Sequence, residues 1–157
     1  MGRFVCAGLI AAVSLATLVG CAPPEVDETE AQRWQTRARV EASSQYDVLA
    51  DLASSTSTES DPDGVETFTF GEPLVAVDEL VVGCYGAPGE TATASWRIRT
   101  GSTWLSGGGA EIECDGSLVT VQAMEGAPER VNAAVVEVIR EGEPRQFYAA
   151  LVGETGP

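Results

Sequence analysis

Histidine and lysine are both missing from these 157 residues. Without histidine there is neither a Ser-His-Asp triad nor a Cys-His dyad. Without lysine there is no Schiff-base chemistry and no Ser-Lys pair. The nine basic residues are therefore all arginine, against 24 Asp and Glu, for a formal net charge of −15. Arg3 is the sole charged residue of the first twenty, so the rest of the chain is more acidic still. Such a chain has no electrostatic footprint for nucleic acid, whose phosphates demand a basic stripe. Anionic headgroups should repel it, so the folded part is expected to stand off a membrane surface.

Other chemistries fail on detail. Gly107-Gly108-Gly109 lacks the lysine and the strand–helix setting of a phosphate-cradling loop. Between residues 59 and 70, Glu59, Asp61, Asp63 and Gly64 align with the first ligands of an EF-hand loop, but Phe70 falls where the bidentate glutamate must be. What survives is carboxylate chemistry of the kind that hydrolyses glycosides. Glu111 and Glu113, two apart on one strand face, have a suitable separation, but they read first as solvated charges protecting an edge. No enzyme activity, cofactor or metal site is expected.

Cysteine is scarce: four residues, at 6, 21, 84 and 114. Cys6 lies in a leader of three parts, residues 1–20, and Cys21 follows directly after it. Arg3 supplies a positive start, Phe4 to Val19 an apolar core, and Gly20 a small residue just before Cys21. Ala22-Pro23-Pro24 then stops any helix, because proline has no amide proton to donate. With Leu18-Val19-Gly20-Cys21 as its lipobox, the chain resembles bacterial lipoprotein precursors. That resemblance implies diacylglycerol attached to the Cys21 thiol and cleavage just before it, leaving the protein on the outer face of the cell membrane. The alternative is an uncleaved spanning helix, for which this run is marginal in length and lacks aromatic or basic flanks. Cys84 and Cys114 remain as one pair. In an oxidising compartment the simplest outcome is a disulfide, the rival being a metal site that lacks enough soft ligands for zinc.

Along the chain, residues 21–30 read as a lipidated tether, acidic and proline-containing. Ala31, Trp34, Ala38, Ala42, Gln45, Leu49 and Leu52 recur every three or four residues, which predicts a helix over 31–53. Its narrow, alanine-rich stripe needs a partner surface. That surface is either the rest of this chain, with Trp34 and Leu49 as anchors, or another protein. Residues 54–64 read as a polar linker.

From Val65 the period becomes two. Ala92, Ala94, Trp96 and Ile98 alternate with Thr91, Thr93, Ser95, Arg97 and Arg99, the mark of a strand with one wet face. Leu80, Val82 and Cys84 share a face, as do Ala110, Ile112 and Cys114, while 131–140 and 145–152 are apolar on both faces. Asp115-Gly116 reads as a two-residue hairpin turn, and Glu141 to Pro144 as a longer one. Some seven short strands over 65–153 predict a disulfide-bridged antiparallel β-sandwich, preceded by one helix. This part is similar to the C-terminal β-domains of small actinobacterial lipoproteins of unknown function, through Val82-Gly83-Cys84-Tyr85-Gly86, Cys114-Asp115-Gly116 and the valine-rich strands that follow. No functional residues come with that similarity.

Aromatics are few, and Trp96, Trp104, Tyr85 and Tyr148 are the candidates for a stacking platform. Trp96 is in phase with the core. Trp104 lies in a Gly/Ser-rich stretch, 100–109, that reads as a loop at one end of the sandwich, which makes it the candidate ligand contact. The expectation is thus a non-catalytic, lipid-anchored surface module binding an envelope protein or glycan. The alternative is an accessory lipoprotein docking into an envelope assembly.

Overall fold

The computed structural model describes residues 26–56, 65–71, 75–122 and 130–155. The leader, Cys21, most of the 54–64 linker and the rejected calcium loop lie outside them. Among the described residues the chain forms one helix, α1 (Glu28–Gln45), and eight strands. These are β1 (Val48–Ser55), β2 (Val65–Thr69), β3 (Val75–Tyr85), β4 (Thr91–Thr100), β5 (Thr103–Glu113), β6 (Asp115–Gln122), β7 (Ala133–Ile139) and β8 (Gln146–Thr155). The strands build two four-stranded antiparallel sheets, β1-β8-β3-β6 and β2-β7-β4-β5. This is the β-sandwich with a preceding helix that the alternation implies.

The main core lies between the sheets. Leu80, Val82 and Cys84 of β3 and Phe147, Ala149 and Leu151 of β8 meet Ala94, Trp96 and Ile98 of β4 and Val136 and Val138 of β7. The opposite face of the first sheet is covered by α1. Trp34, Ala38 and Ala42 pack on Val81, Tyr148, Ala150 and Val152, which explains why β3 and β8 are apolar on both faces. The order of layers is therefore helix, sheet, sheet. Asp27 caps the helix, its Oδ1 accepting from the Thr29 amide at 2.8 Å, and Glu28 and Glu30 in the first turn suit the positive end of the dipole.

Three expectations need correction. The helix ends at Gln45 rather than running to 53, and Val48–Ser55 is a strand paired with β8. Leu49 and Leu52, three apart, mimic a helical stripe; a bulge between Val48 and Ala50 is what lets both pack against the main core. The sandwich accordingly begins at 48, and Ser54 and Ser55 belong to β1 rather than to a linker.

Second, Asp115-Gly116 is not a hairpin. β5 pairs only with β4 and β6 only with β3, so at Cys114 the chain crosses from one sheet to the other. The local turn chemistry is that expected of Asp-Gly: Asp115 Oδ1 accepts from the Ser117 amide at 2.8 Å and Gly116 has φ +88°. What the turn serves is different, since Gly116 also makes room for Trp34, whose Nε1 donates to the Gly116 carbonyl at 2.8 Å. Third, Thr100 to Gly109 is mostly strand: the turn is Gly101-Ser102, and β5 runs back along β4 from Thr103.

Candidate functional site

Cys84 and Cys114 form a disulfide, both fully buried, joining β3 of one sheet to the end of β5 in the other. Beside it sits an ion cluster that no sequence pattern announced. Both oxygens of Glu90 receive the Arg145 guanidinium, Nε at 2.7 Å and Nη2 at 2.8 Å. Arg140 Nη2 adds a third contact at 2.7 Å and the Ala87 amide a fourth at 2.9 Å. The Arg145 hydrogen bonds hold the Glu90 carboxyl at about 2, helped by the Ala87 amide and the Arg140 charge and opposed by burial. All the donors are arginine or backbone, so the carboxylate is locked in its charged form and serves as a tie between Ala87–Thr91 and the β7–β8 turn. The remaining signal, an X-Pro-Gly-Glu turn beside a cysteine, is too short to have revealed partners 50 residues on.

The other end of the sandwich is different. Gly101-Ser102 closes the β4–β5 hairpin, and pairing of Arg99 with Trp104 places both on the outer face of the second sheet, away from α1. Trp104 is 42% exposed. The Arg99 guanidinium carbon lies 5.6 Å from the Trp104 ring centroid and that of Arg97 6.0 Å, both within cation–π range. Asn132, just before β7, braces the hairpin. Its amide donates to the Arg99 carbonyl at 2.9 Å, its Oδ1 accepts from Arg99 Nε at 3.2 Å, and its Nδ2 donates to the Gly101 carbonyl at 3.1 Å. Among the described residues Arg97 and Arg99, like Arg33, Arg37 and Arg130, have no carboxylate within salt-bridge distance, whereas Arg39 and Arg140 have one each and Arg145 has two.

The aromatic platform considered from sequence does not assemble. Trp96 is in the core at 1% exposure, its ring lying against Gly107 so closely that a Cβ there would come within 2.5 Å of it. A side chain at 107 is excluded, which accounts for the first glycine of the run, and Gly108 has φ +128°. Tyr148 is buried under α1, where desolvation pushes its hydroxyl up to about 12. Tyr85 stacks on Trp34, centroids 5.6 Å apart. Trp104 alone of the four stays on the second sheet's outer face, on a strand rather than a loop. Glu111 and Glu113 point outward on β5 opposite Thr93 and Thr91, exposed as expected. They stand toward the disulfide end of the sheet, apart from Trp104.

Among the described residues no three His, Cys, Asp or Glu side chains converge to hold a metal ion, and no helix is long and apolar enough to cross a membrane. A shallow cleft at the start of α1 brings Val26 and Asp27 beside Pro144, Arg145 and Gln146, so the described chain begins at the disulfide end. No family model and no curated protein matches this chain. A solved structure titled "Crystal structure of PirA" is similar over 69% of this chain and 97% of that one, at 9% identity and a TM-score of 0.38, a likeness that carries no argument about function.

Proposed function

We propose that this protein is a lipid-anchored, non-catalytic binding module on the outer face of the cell membrane, and that it takes its ligand on the sheet face bearing Trp104, Arg97 and Arg99. The lipobox ending at Cys21 supports the anchor, and the buried Cys84–Cys114 bridge is what an oxidising, extracytoplasmic setting favours. The observation that carries the binding site is the exposed indole with two arginine guanidiniums in cation–π range and no carboxylate partners, in a chain that is otherwise strongly acidic. Aromatic and arginine side chains are the ones most often found at the energetic centres of binding surfaces.

Docking of the helix into an envelope assembly has less behind it. The apolar stripe of α1 is used within the molecule, leaving Val40, at 66% exposure, as the helix's exposed large hydrophobe. Two measurements test the reading. Cys21→Ala should release the protein from the membrane fraction and abolish labelling with radioactive palmitate; unchanged fractionation removes the anchor. Trp104→Ala should leave the melting transition in place and erase binding on an array of envelope glycans and proteins. An array on which the variant and the wild type respond alike removes the site.

A further inference from the structure

We infer that the Trp104 face takes an acidic saccharide, a sugar ring stacked on the indole with its carboxylate held by Arg97 and Arg99; this rests on the binding-module reading above and adds the chemistry of the ligand. A net −15 molecule retains on this face two guanidinium groups that no carboxylate of the described chain neutralises, three residues or fewer from an exposed aromatic along or across the hairpin. Arginine's planar fork suits a carboxylate in two-point contact.

Arg99 is also preorganised. Asn132 occupies Arg99 Nε and ties the same hairpin through Gly101, so the Arg99 terminal nitrogens are held in place with no hydrogen-bond partner among the described residues. A side chain already fixed loses little freedom on binding. The indole supplies an apolar plane for the C–H face of a pyranose. Around it the same sheet face is lined with hydroxyls: Thr67 and Thr69 on β2, Thr93 and Ser95 on β4, Ser106 on β5.

The ligand's length is limited by the same charges that select it. Glu137, opposite Ser95, and Glu111 lie on this face toward the disulfide end. Glu137 is the diagonal cross-strand neighbour of Arg97, so a short saccharide with its carboxylate at Arg99, two residues nearer the hairpin, meets less of the opposing charge, which salt screens over about 8 Å. A long polyanion laid across the sheet meets the glutamates, and this disfavours single-stranded nucleic acid, which otherwise shares the taste for aromatic and arginine.

The test titrates the full-length protein in detergent with trigalacturonate, maltotriose and tripolyphosphate, following tryptophan fluorescence and binding heat. Trigalacturonate should bind saturably, and roughly tenfold more tightly than maltotriose. Arg97→Gln should weaken it by about tenfold without moving the melting transition, Arg99→Gln should weaken it as much with a small loss of stability from the missing Asn132 hydrogen bond, and Trp104→Ala should remove the fluorescence response. Equal affinity for maltotriose would overturn the inference while leaving a neutral-glycan module standing. Equal binding of tripolyphosphate, indifferent to Trp104→Ala, would reduce the face to a general anion patch and overturn it as well. Absence of saturable binding by all three sinks it outright, whereas the anchoring half of the functional reading is decided separately by fractionation of Cys21→Ala.

Discussion

Glu90 shows what one residue does for this molecule. Its carboxyl, held at about 2 against an ordinary 4.5, is charged in the folded protein at pH values where the unfolded chain would bind a proton. The stabilisation is therefore complete above about pH 5 and is lost as pH falls from there toward 2. Glu90→Gln should destabilise the protein at pH 7 by about 2–3 kcal/mol, somewhat less than the ~3–5 for a fully buried broken pair. In urea titrations repeated between pH 7 and 3, the variant should show a flatter acid limb than the wild type. Parallel limbs would mean that another carboxylate governs acid unfolding. Tyr148 is the converse case. Its hydroxyl is buried with no hydrogen-bond partner among the described residues, so Tyr148→Phe should be neutral or stabilising by up to ~1 kcal/mol. A loss of stability in the same assay would reveal a partner for that hydroxyl.

At the scale of elements, the question is what holds α1. Trp34 fills the notch between Tyr85 and Gly116 and ties the helix to β6 by a hydrogen bond, so Trp34→Ala should cost roughly 3–5 kcal/mol and bare the Tyr148 face. Hydrogen exchange should then show loss of protection in β3 and β8 before β4 and β7; uniform loss would make the helix part of a single cooperative core. The buried stripe Ala31, Trp34, Ala38 and Ala42 was readable because three- and four-residue spacing has one interpretation while the helix lasts. It failed at Leu49 and Leu52, where a bulged strand produces the same spacing. Strand alternation likewise identified which side of β4 is wet, and put Trp96 inside. It could not say that β5 and β6 part company at Cys114, because sheet membership is decided by partners dozens of residues away. Trp104 was legible as a surface aromatic, but its two arginines became neighbours only once the hairpin register was known.

On the scale of the whole molecule, the bridge between Cys84 and Cys114 fastens sheet to sheet at the point where the chain changes layers. It closes a loop of 30 residues that contains β4 and β5, and should stabilise the fold by roughly 3–4 kcal/mol through the unfolded chain. Replacing both cysteines with serine should lower the urea midpoint accordingly. Mass spectrometry of the wild-type protein should find the pair two protons light. A variant as stable as its parent would assign the work of that corner to the Glu90 ion cluster instead.

The placement of Val26 beside Pro144 and Gln146 gives the molecule a polarity. The ten residues of β4 carry the chain from Thr91, next to the Glu90 cluster, to Thr100 at the hairpin, about 30 Å away. The stretch from Cys21 to Val26, even drawn out straight, reaches under about 20 Å. With acyl chains at Cys21, so short a tether would leave the disulfide end nearer the bilayer than the hairpin, and the indole and its arginines would face away from the lipid.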